Sequence, residues 1–211
     1  MNTVEKLVAS QLLEVEAVKL RPNEPFTWAS GWKSPIYCDN RKTLSYPKVR
    51  STIKLELARL ILEKYPDVEV IAGVATGAIA QGALVADALG LPFVYVRSSA
   101  KDHGMKNLVE GYLEEGKKVV VVEDLISTGG SSLKAVAALR EEKKANVLGM
   151  VAIFTYQFPV AQAQFADAKV ELTTLSNYNA LVEAAAEINY IDDSVVPTLQ
   201  EWRKDPANWQ K

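Results

Sequence analysis

One stretch of the chain decides the fold prediction, and it reads Val119-Val120-Val121-Val122-Glu123-Asp124-Leu125-Ile126-Ser127-Thr128-Gly129-Gly130-Ser131-Ser132. Four consecutive β-branched residues are typical of a strand that is buried on both faces of a parallel sheet. Two carboxylates follow, and then a loop rich in hydroxyls and glycine that leads into a helix. Helix capping needs a single Ser or Thr, so capping alone does not account for residues 123–132.

The polar half of this stretch predicts a site for a sugar phosphate. Carboxylates accept hydrogen bonds from vicinal ribose hydroxyls, while hydroxyls and backbone N–H groups at a helix N-terminus hold phosphate. No Lys follows the glycines, which argues against the phosphate loop of nucleotide triphosphatases. The glycine spacing also differs from that of dinucleotide-binding folds. An ordinary strand–loop–helix junction remains the alternative.

Composition limits the classes of function. The chain has 211 residues, 48% of them hydrophobic, which suits one core and a single domain spanning residues 1–211. Its 24 basic and 26 acidic residues give a net charge of -2, so bulk charge does not support nucleic-acid binding. Cys38 is the only cysteine, which suits a reducing cytoplasm and excludes an intrachain disulfide. No apolar run approaches the ~20 residues of a membrane span.

Helical and strand patterns alternate along most of the chain. Helices are predicted at residues 4–15, 47–65, 78–89, from about 133, and at 160–166, 178–187 and 198–204; strands are predicted at 68–74, 92–96, 118–122, 146–155 and 169–172. Residues 21–46 contain three prolines among aromatic residues and predict short strands and turns. This alternation predicts an α/β fold, a central and mostly parallel sheet with helices on both faces. Ligands of such sheets bind beyond the carboxyl ends of the strands, where Glu123 and Asp124 fall.

Three further segments carry candidate chemistry. Residues 73–80 are small and let the backbone approach an anion, although a tight strand–helix turn would look the same. Residues 97–116 form a connection of unusual length that contains Arg97, Lys101 and His103, the only histidine. The aromatic segment 26–39 can stack on a planar base; its alternative is a structural hairpin with core aromatics.

These segments resemble a known family. Residues 123–132 resemble the phosphoribosyl diphosphate signature of type I phosphoribosyltransferases. Residues 97–104 resemble the catalytic loop of orotate phosphoribosyltransferases, and the pattern Ser-Gly-Xaa-Lys-Ser-Pro-Xaa-Tyr at residues 30–37 resembles their N-terminal hood. The three segments come in the family's order and cover residues from about 20 to about 160. The resemblance implies a type I phosphoribosyltransferase fold in which residues from about 20 to 46 form the hood over the base site.

The resemblance also implies an activity, the transfer of phosphoribose from 5-phosphoribosyl 1-diphosphate to orotate in pyrimidine (UMP) biosynthesis. It implies Mg²⁺ held mainly by the substrate, and a cytoplasmic homodimer in which loop 97–116 closes over the partner's site. The catalytic residues implied are Arg97, Lys101 and His103. The residues implied for phosphoribosyl diphosphate are these three with Thr76, Gly77, Glu123, Asp124, Leu125, Ile126, Ser127, Thr128, Gly129, Gly130 and Ser131; those implied for orotate are Ser127, Lys33 and Tyr37.

The chain departs from some family members at Ala29, at Thr76-Gly77 and at Ser98, where those members carry basic or aromatic residues. Two alternatives therefore stay open. One is a phosphoribosyltransferase for another base, which would use the same sugar site. The other is a non-catalytic regulator that senses phosphoribosyl diphosphate, although the opening helix leads directly into the hood and leaves no room for a helix-turn-helix.

Overall fold

The computed structural model describes residues 3–28, 30–99 and 107–209. Its helices are α1 (Thr3–Glu14), α2 (Pro47–Lys64), α3 (Ile79–Leu89), α4 (Gly130–Glu142), α5 (Pro159–Asp167), α6 (Tyr178–Glu187) and α7 (Val196–Lys204). Its strands are β1 (Val18–Leu20), β2 (Phe26–Thr27), β3 (Lys33–Ser34), β4 (Ile36–Cys38), β5 (Val70–Val74), β6 (Phe93–Val96), β7 (Val109–Glu110), β8 (Lys118–Ile126), β9 (Asn146–Thr155) and β10 (Leu172–Asn177). No described helix is long and apolar enough to cross a membrane.

A six-stranded sheet in the order β10-β9-β8-β5-β6-β7 forms the centre of the fold. All neighbouring pairs in it are parallel except β6 and β7. Side chains of β8 alternate between two apolar clusters, because successive residues of a strand point to opposite faces. Val120 and Val122 pack with α1, α2, α3, α6 and α7 on one face, while Val119 and Val121 pack with α4 and α5 on the other. The predicted fold class is confirmed.

Four local predictions needed correction. Strand β8 continues to Ile126, since β9 keeps pairing with Glu123, Leu125 and Ile126. The connection 97–116 is interrupted by β7, which pairs antiparallel with β6. The strand predicted at residues 169–172 begins only at Leu172, as β10, because Lys169 has a positive φ and its carbonyl accepts from Arg140 as α5 ends. A 3₁₀ helix, Asn40–Ser45, lies within the segment that was predicted as strands and turns.

The N-terminal hood is built from two small antiparallel sheets outside the central one. Strand β1 pairs with β4, and β2 pairs with β3 through Phe26↔Ser34 and Thr27↔Lys33. The buried side chain of Asn40 joins the hood to the central sheet, because its Nδ2 donates to the backbone oxygen of Asp124 at 2.6 Å. This hydrogen bond places the hood beside the carboxyl end of β8.

Candidate active site

Two loops that are far apart in sequence line one cavity at the carboxyl edge of the sheet. Strands β5 and β8 are parallel neighbours, so the loops that follow them meet. The cavity has a volume of about 300 Å³. Its lining residues are Val74, Ala75, Thr76, Gly77, Glu123, Asp124, Leu125, Ser127, Thr128, Gly129, Ser131 and Ser132. We call it the sugar-phosphate cavity, after the ligand that residues 123–132 predict.

The two carboxylates in this cavity have different surroundings. Glu123 is 5% exposed, and its Oε1 accepts from the backbone N–H of Asp124 at 2.9 Å while its Oε2 accepts from the Ser132 hydroxyl at 2.8 Å. The Asp124 carboxylate lies against the backbone of Gly77, where a Cβ atom would fall 2.2 Å from Oδ2. Glu123 therefore ties the end of β8 to the first turn of α4, and Asp124 faces the loop after β5.

The other end of the cavity is the N-terminus of α4. Gly129 precedes the helix with φ +87, a left-handed conformation that favours glycine, and a Cβ there would lie 2.8 Å from the Phe165 ring. The first backbone N–H groups of a helix have no partner within the helix, and together with the helix dipole they favour an anion. Hydroxyls of Ser127, Thr128 and Ser131 line the same wall, so this end has the chemistry of a phosphate site.

A second cavity of about 310 Å³ opens between the hood and the end of β8. It is lined by Thr27, Trp28, Tyr37, Cys38, Leu125, Ser127 and Tyr156. We call it the base cavity, because its aromatic and largely apolar walls suit a planar ring. Leu125 and Ser127 belong to both cavities, so a ligand ring in one lies next to a sugar in the other.

The chain is similar in sequence to known phosphoribosyltransferases. A family model described as phosphoribosyl transferase domain matches residues 50–173. An orotate phosphoribosyltransferase of Porphyromonas gingivalis is 65% identical over 209 residues, which are 99% of this chain and 99% of that protein. One from Enterococcus faecalis is 59% identical over 211 residues and covers 100% of both chains.

The chain belongs to the orotate phosphoribosyltransferase family. The orotate phosphoribosyltransferase of Aeropyrum pernix superposes with a TM-score of 0.75 at 27% identity, over 87% of this chain and 99% of that one. The family resemblance seen in three segments of the sequence therefore extends over the whole chain.

Most residues that the sequence predicts for the family's sugar-phosphate site lie in one place, but some do not. Ile126 is fully buried in the core, and Gly130 lies outside the residues that line the cavity. Arg97 contacts Glu110 at 3.5 Å and lines an adjoining cavity of about 420 Å³, which shares Val74, Ala75 and Ser131 with the sugar-phosphate cavity. Lys101 and His103 lie outside the described residues.

Of the residues predicted to bind the base, two line the base cavity and one lies beside it. Tyr37 and Ser127 line the base cavity. Lys33 is exposed and lies beside this wall rather than in it, with its ammonium donating to the Thr27 hydroxyl at 2.9 Å.

Sequence reasoning missed Tyr156, Asn40 and the place of Cys38 in the cavity wall. Tyr156 directly follows β9, the parallel neighbour of β8, so the strand order would have predicted its position. Asn40 carries no such signal, because its role depends on one long-range hydrogen bond to the backbone.

Burial sets the protonation of three groups around the cavities. Burial, helped by the negative charge of Asp124, raises the pKa of the Glu123 carboxyl well above its ordinary value of 4.5. Burial and the same carboxylate raise the pKa of the Cys38 thiol, and burial raises that of the Tyr156 hydroxyl. The base cavity is therefore lined by a neutral thiol and a neutral phenol.

Within residues 3–28, 30–99 and 107–209, no three His, Cys, Asp or Glu side chains form a metal-ligand cluster.

The raised pKa of Glu123 predicts a pH-dependent effect of Glu123→Gln on stability. A carboxyl with a raised folded-state pKa gives stability below its unfolded pKa near 4.5, and this stability is lost as pH rises through the folded value. Gln carries no charge; its amide oxygen still accepts from the Asp124 N–H, and its NH2 group can donate to the Ser132 hydroxyl. We expect the free energy of unfolding of the variant, relative to the parent protein, to increase steadily from pH 4 to pH 8 in urea denaturation.

The exposed residue Glu115 provides the matched control, Glu115→Gln, for which we expect no such pH trend. A difference between Glu123→Gln and the parent that stays constant from pH 4 to pH 8 would contradict the assignment of a raised pKa.

Proposed function

We infer that the protein transfers the phosphoribosyl group of 5-phosphoribosyl 1-diphosphate to orotate, which yields orotidine 5′-monophosphate and diphosphate. The reaction is a pentosyl transfer in pyrimidine (UMP) biosynthesis. The observation that carries this conclusion is the junction of the two cavities at Ser127 and Leu125, in a chain whose relatives are orotate phosphoribosyltransferases over their full length. A base cavity that opens into a sugar-phosphate cavity suits a reaction that joins the two.

The residues around the two cavities and in loop 97–116 can each be assigned a role in this reaction. We propose that Asp124 and Glu123 hold the ribose hydroxyls, that residues 127–131 hold the 5′-phosphate, and that Thr76 and Gly77 hold the diphosphate. Arg97, Lys101 and His103 are proposed to contact the leaving diphosphate when loop 97–116 closes. Asp124 is better placed than Glu123 for the sugar, since both oxygens of Glu123 already accept hydrogen bonds from the protein. Ser127, Lys33 and Tyr37 are the candidates for orotate.

The transfer needs no covalent intermediate with the protein. The ring nitrogen of orotate forms a bond to the anomeric carbon as the bond to diphosphate breaks, through a transition state with oxocarbenium character like that of glycoside cleavage. The protein must then stabilise the leaving diphosphate and keep water from the reactive sugar. Basic residues of the closing loop serve the first task, and the apolar walls of Trp28 and Tyr156 serve the second.

We propose Mg²⁺ as the cofactor. Mg²⁺ takes oxygen ligands and is commonly held by one or two carboxylates together with substrate phosphates. The Asp124 carboxylate at the cavity wall, together with the oxygens of the ribose and diphosphate, fits this donor set. When bound, the ion supplies positive charge against the leaving diphosphate.

The assembly is proposed to be a cytoplasmic homodimer of single-domain subunits, in which loop 97–116 of each subunit completes the site of the other. Arg97 and the adjoining cavity lie at the base of this loop, next to the sugar-phosphate cavity. A loop that begins there is well placed to reach over the diphosphate.

The decisive test follows the ultraviolet absorbance of orotate with phosphoribosyl diphosphate and Mg²⁺, beside uracil, hypoxanthine and adenine. We expect loss of the orotate signal that depends on both substrates, and no turnover of the other bases. Turnover of another base but not orotate would retain the sugar site and refute the assigned base. Tight binding of phosphoribosyl diphosphate without turnover of any base would point to the sensing regulator.

Gly77→Ala tests the cavity wall that Gly77 and Asp124 form together. The new methyl group meets the Asp124 carboxylate, which must move aside, so the cost in folding free energy should be about 1–3 kcal/mol. Moving a group that holds the sugar by about 1 Å can slow an enzyme about 100-fold, so we expect kcat/KM for phosphoribosyl diphosphate to fall by about that factor.

The control is Gly90→Ala, at the end of α3, where φ is +65 and no atom lies within 4 Å of the new methyl. It should lower stability by about 1–2 kcal/mol through left-handed backbone strain while leaving kcat/KM unchanged. Normal activity of Gly77→Ala would argue against a role for either Gly77 or Asp124 in binding phosphoribosyl diphosphate.

Mixing variants tests the shared loop. Lys101→Ala and Asp124→Asn should each be nearly inactive alone. In a random mixture, half of the dimers carry both variants and have one intact site, so activity should recover to about a quarter of the parent value.

Mixing Asp124→Asn with Gly77→Ala is the matched control, because both changes affect the same cavity of the same subunit. This pair should give no recovery beyond the residual activities of its components. Absence of recovery in verified mixed dimers of the first pair would show that each subunit uses its own loop.

A further inference from the structure

The hood hairpin formed by β2 and β3 has too few contacts to hold its own position. It contains two residue pairs, Phe26↔Ser34 and Thr27↔Lys33, and an isolated two-stranded hairpin is at best marginally stable in water. Yet Thr27, and Trp28 directly after it, form one wall of the base cavity. The position of this wall therefore depends on what anchors the hairpin from outside.

One such anchor comes from α7. The Trp202 side chain is fully buried, and its indole Nε1 donates to the backbone oxygen of Lys33 at 3.1 Å, across 169 residues of sequence. Lys33 pairs with Thr27 in the hairpin, and the Lys33 ammonium also donates to the Thr27 hydroxyl at 2.9 Å. The hydrogen bond from Trp202 thus reaches the cavity wall through one strand pair.

The ring of Trp202 supports the same wall by packing. It meets Trp28 edge-on with a centroid distance of 5.7 Å and an interplanar angle of 83°, and it meets Tyr156 at 5.8 Å and 82°. Trp28 and Tyr156 lie 5.3 Å apart and both line the base cavity, whereas Trp202 does not. Edge-to-face contacts of this kind fix the angle of a ring as well as its distance.

We propose that Trp202 is a positioning residue for base recognition, which holds Trp28 and the β2–β3 hairpin at the distance from Tyr156 and Ser127 that fits one pyrimidine ring. This inference rests on the proposed function, since it assigns the second cavity to the base. It gives α7 a role in substrate selection in addition to packing.

A change at Trp202 should affect the binding of the base and leave the binding of phosphoribosyl diphosphate unaffected. The hydrogen bond and ring contacts of Trp202 reach Lys33, Trp28, Tyr156, Phe158 and Tyr178, and none of these residues lines the sugar-phosphate cavity. That cavity is built on β5, β8 and α4. A change at Trp202 should therefore separate the two substrates, which a general loss of stability would not do.

Trp202→Phe tests the proposal, because it retains an aromatic ring but removes the N–H donor. Loss of one hydrogen bond worth up to about 1.4 kcal/mol corresponds to a tenfold change in an equilibrium constant, so we expect KM for orotate to rise by about three- to tenfold. KM for phosphoribosyl diphosphate should change less than twofold. Hydrogen exchange at the amides of Trp28 and Gly31, which bond within the hairpin, should become faster.

Tyr178→Phe is the matched control. The buried Tyr178 hydroxyl of α6 donates to the backbone oxygen of Leu199 in α7, the helix that carries Trp202, at 3.0 Å. Loss of this hydroxyl should lower the melting temperature about as much as Trp202→Phe does, and it should leave the KM values for orotate and phosphoribosyl diphosphate unchanged. If Trp202→Phe does not accumulate as folded protein, Trp202→Tyr takes its place, because it fills more of the space and likewise lacks the indole donor. We expect the same changes in the two KM values for it.

Equal changes in the two KM values, or a profile for the Trp202 variant that matches Tyr178→Phe, would overturn the proposal and leave Trp202 as a packing residue. Failure of the parent protein to turn over orotate would instead refute the proposed function. The two failures are distinguishable because the parent assay precedes the comparison of variants.

Discussion

The parallel pairing of β8 with β5 on one side and β9 on the other is the constraint on which the rest of the structure depends. Because all three strands run in the same direction, the residues that follow them gather at one edge of the sheet. Residues 75–77 after β5, residues 127–132 after β8 and Tyr156 after β9 become neighbours for this reason. Neither cavity contains a complete site within one segment, and the register of the central strands sets the distances between their parts.

The carboxylate pair shows how burial divides two adjacent acids between two tasks. Successive residues of a strand point to opposite faces, so Glu123 is buried in the cavity wall while the Asp124 carboxylate faces the loop after β5. The enclosed carboxyl accepts from the backbone of its neighbour and from the first turn of α4, and its charged form is disfavoured there. The open carboxylate is left to meet solvent or ligand. Adjacent positions of one strand thus hold one acid whose hydrogen bonds are taken up by the protein and one acid that the proposed function assigns to the sugar.

Local pattern was enough to predict the fold class and to single out the two loops that line one cavity at the edge of the sheet. The four valines before Glu123 and the small, hydroxyl-rich loop after it have physical meaning within a short window, and so did the strand 146–155 and the helix 178–187. Prediction was poorer where tertiary contacts decide. Strand β8 extends past its four valines because β9 pairs with Glu123, Leu125 and Ile126. The last strand begins only at Leu172, because the chain turns at Ala168 and Lys169, whose carbonyls accept from Arg140. Asn40, Tyr156 and Trp202 owe their roles to partners remote in sequence, which no local pattern reveals.

The aromatic cluster at the base cavity joins Trp28, Tyr156, Phe158, Tyr178 and Trp202, and so it brings together both ends of the described chain. Contacts of such sequence separation form late, because a long loop must close before they can contribute. The loops that surround the sugar-phosphate cavity, by contrast, all lie between residues 74 and 132. A chain emerging from the ribosome therefore carries every segment of the sugar-phosphate cavity well before it can assemble the aromatic wall of the base cavity. Under the proposed function, the binding site for the phosphoribosyl donor is thus synthesised before the wall that would select its acceptor.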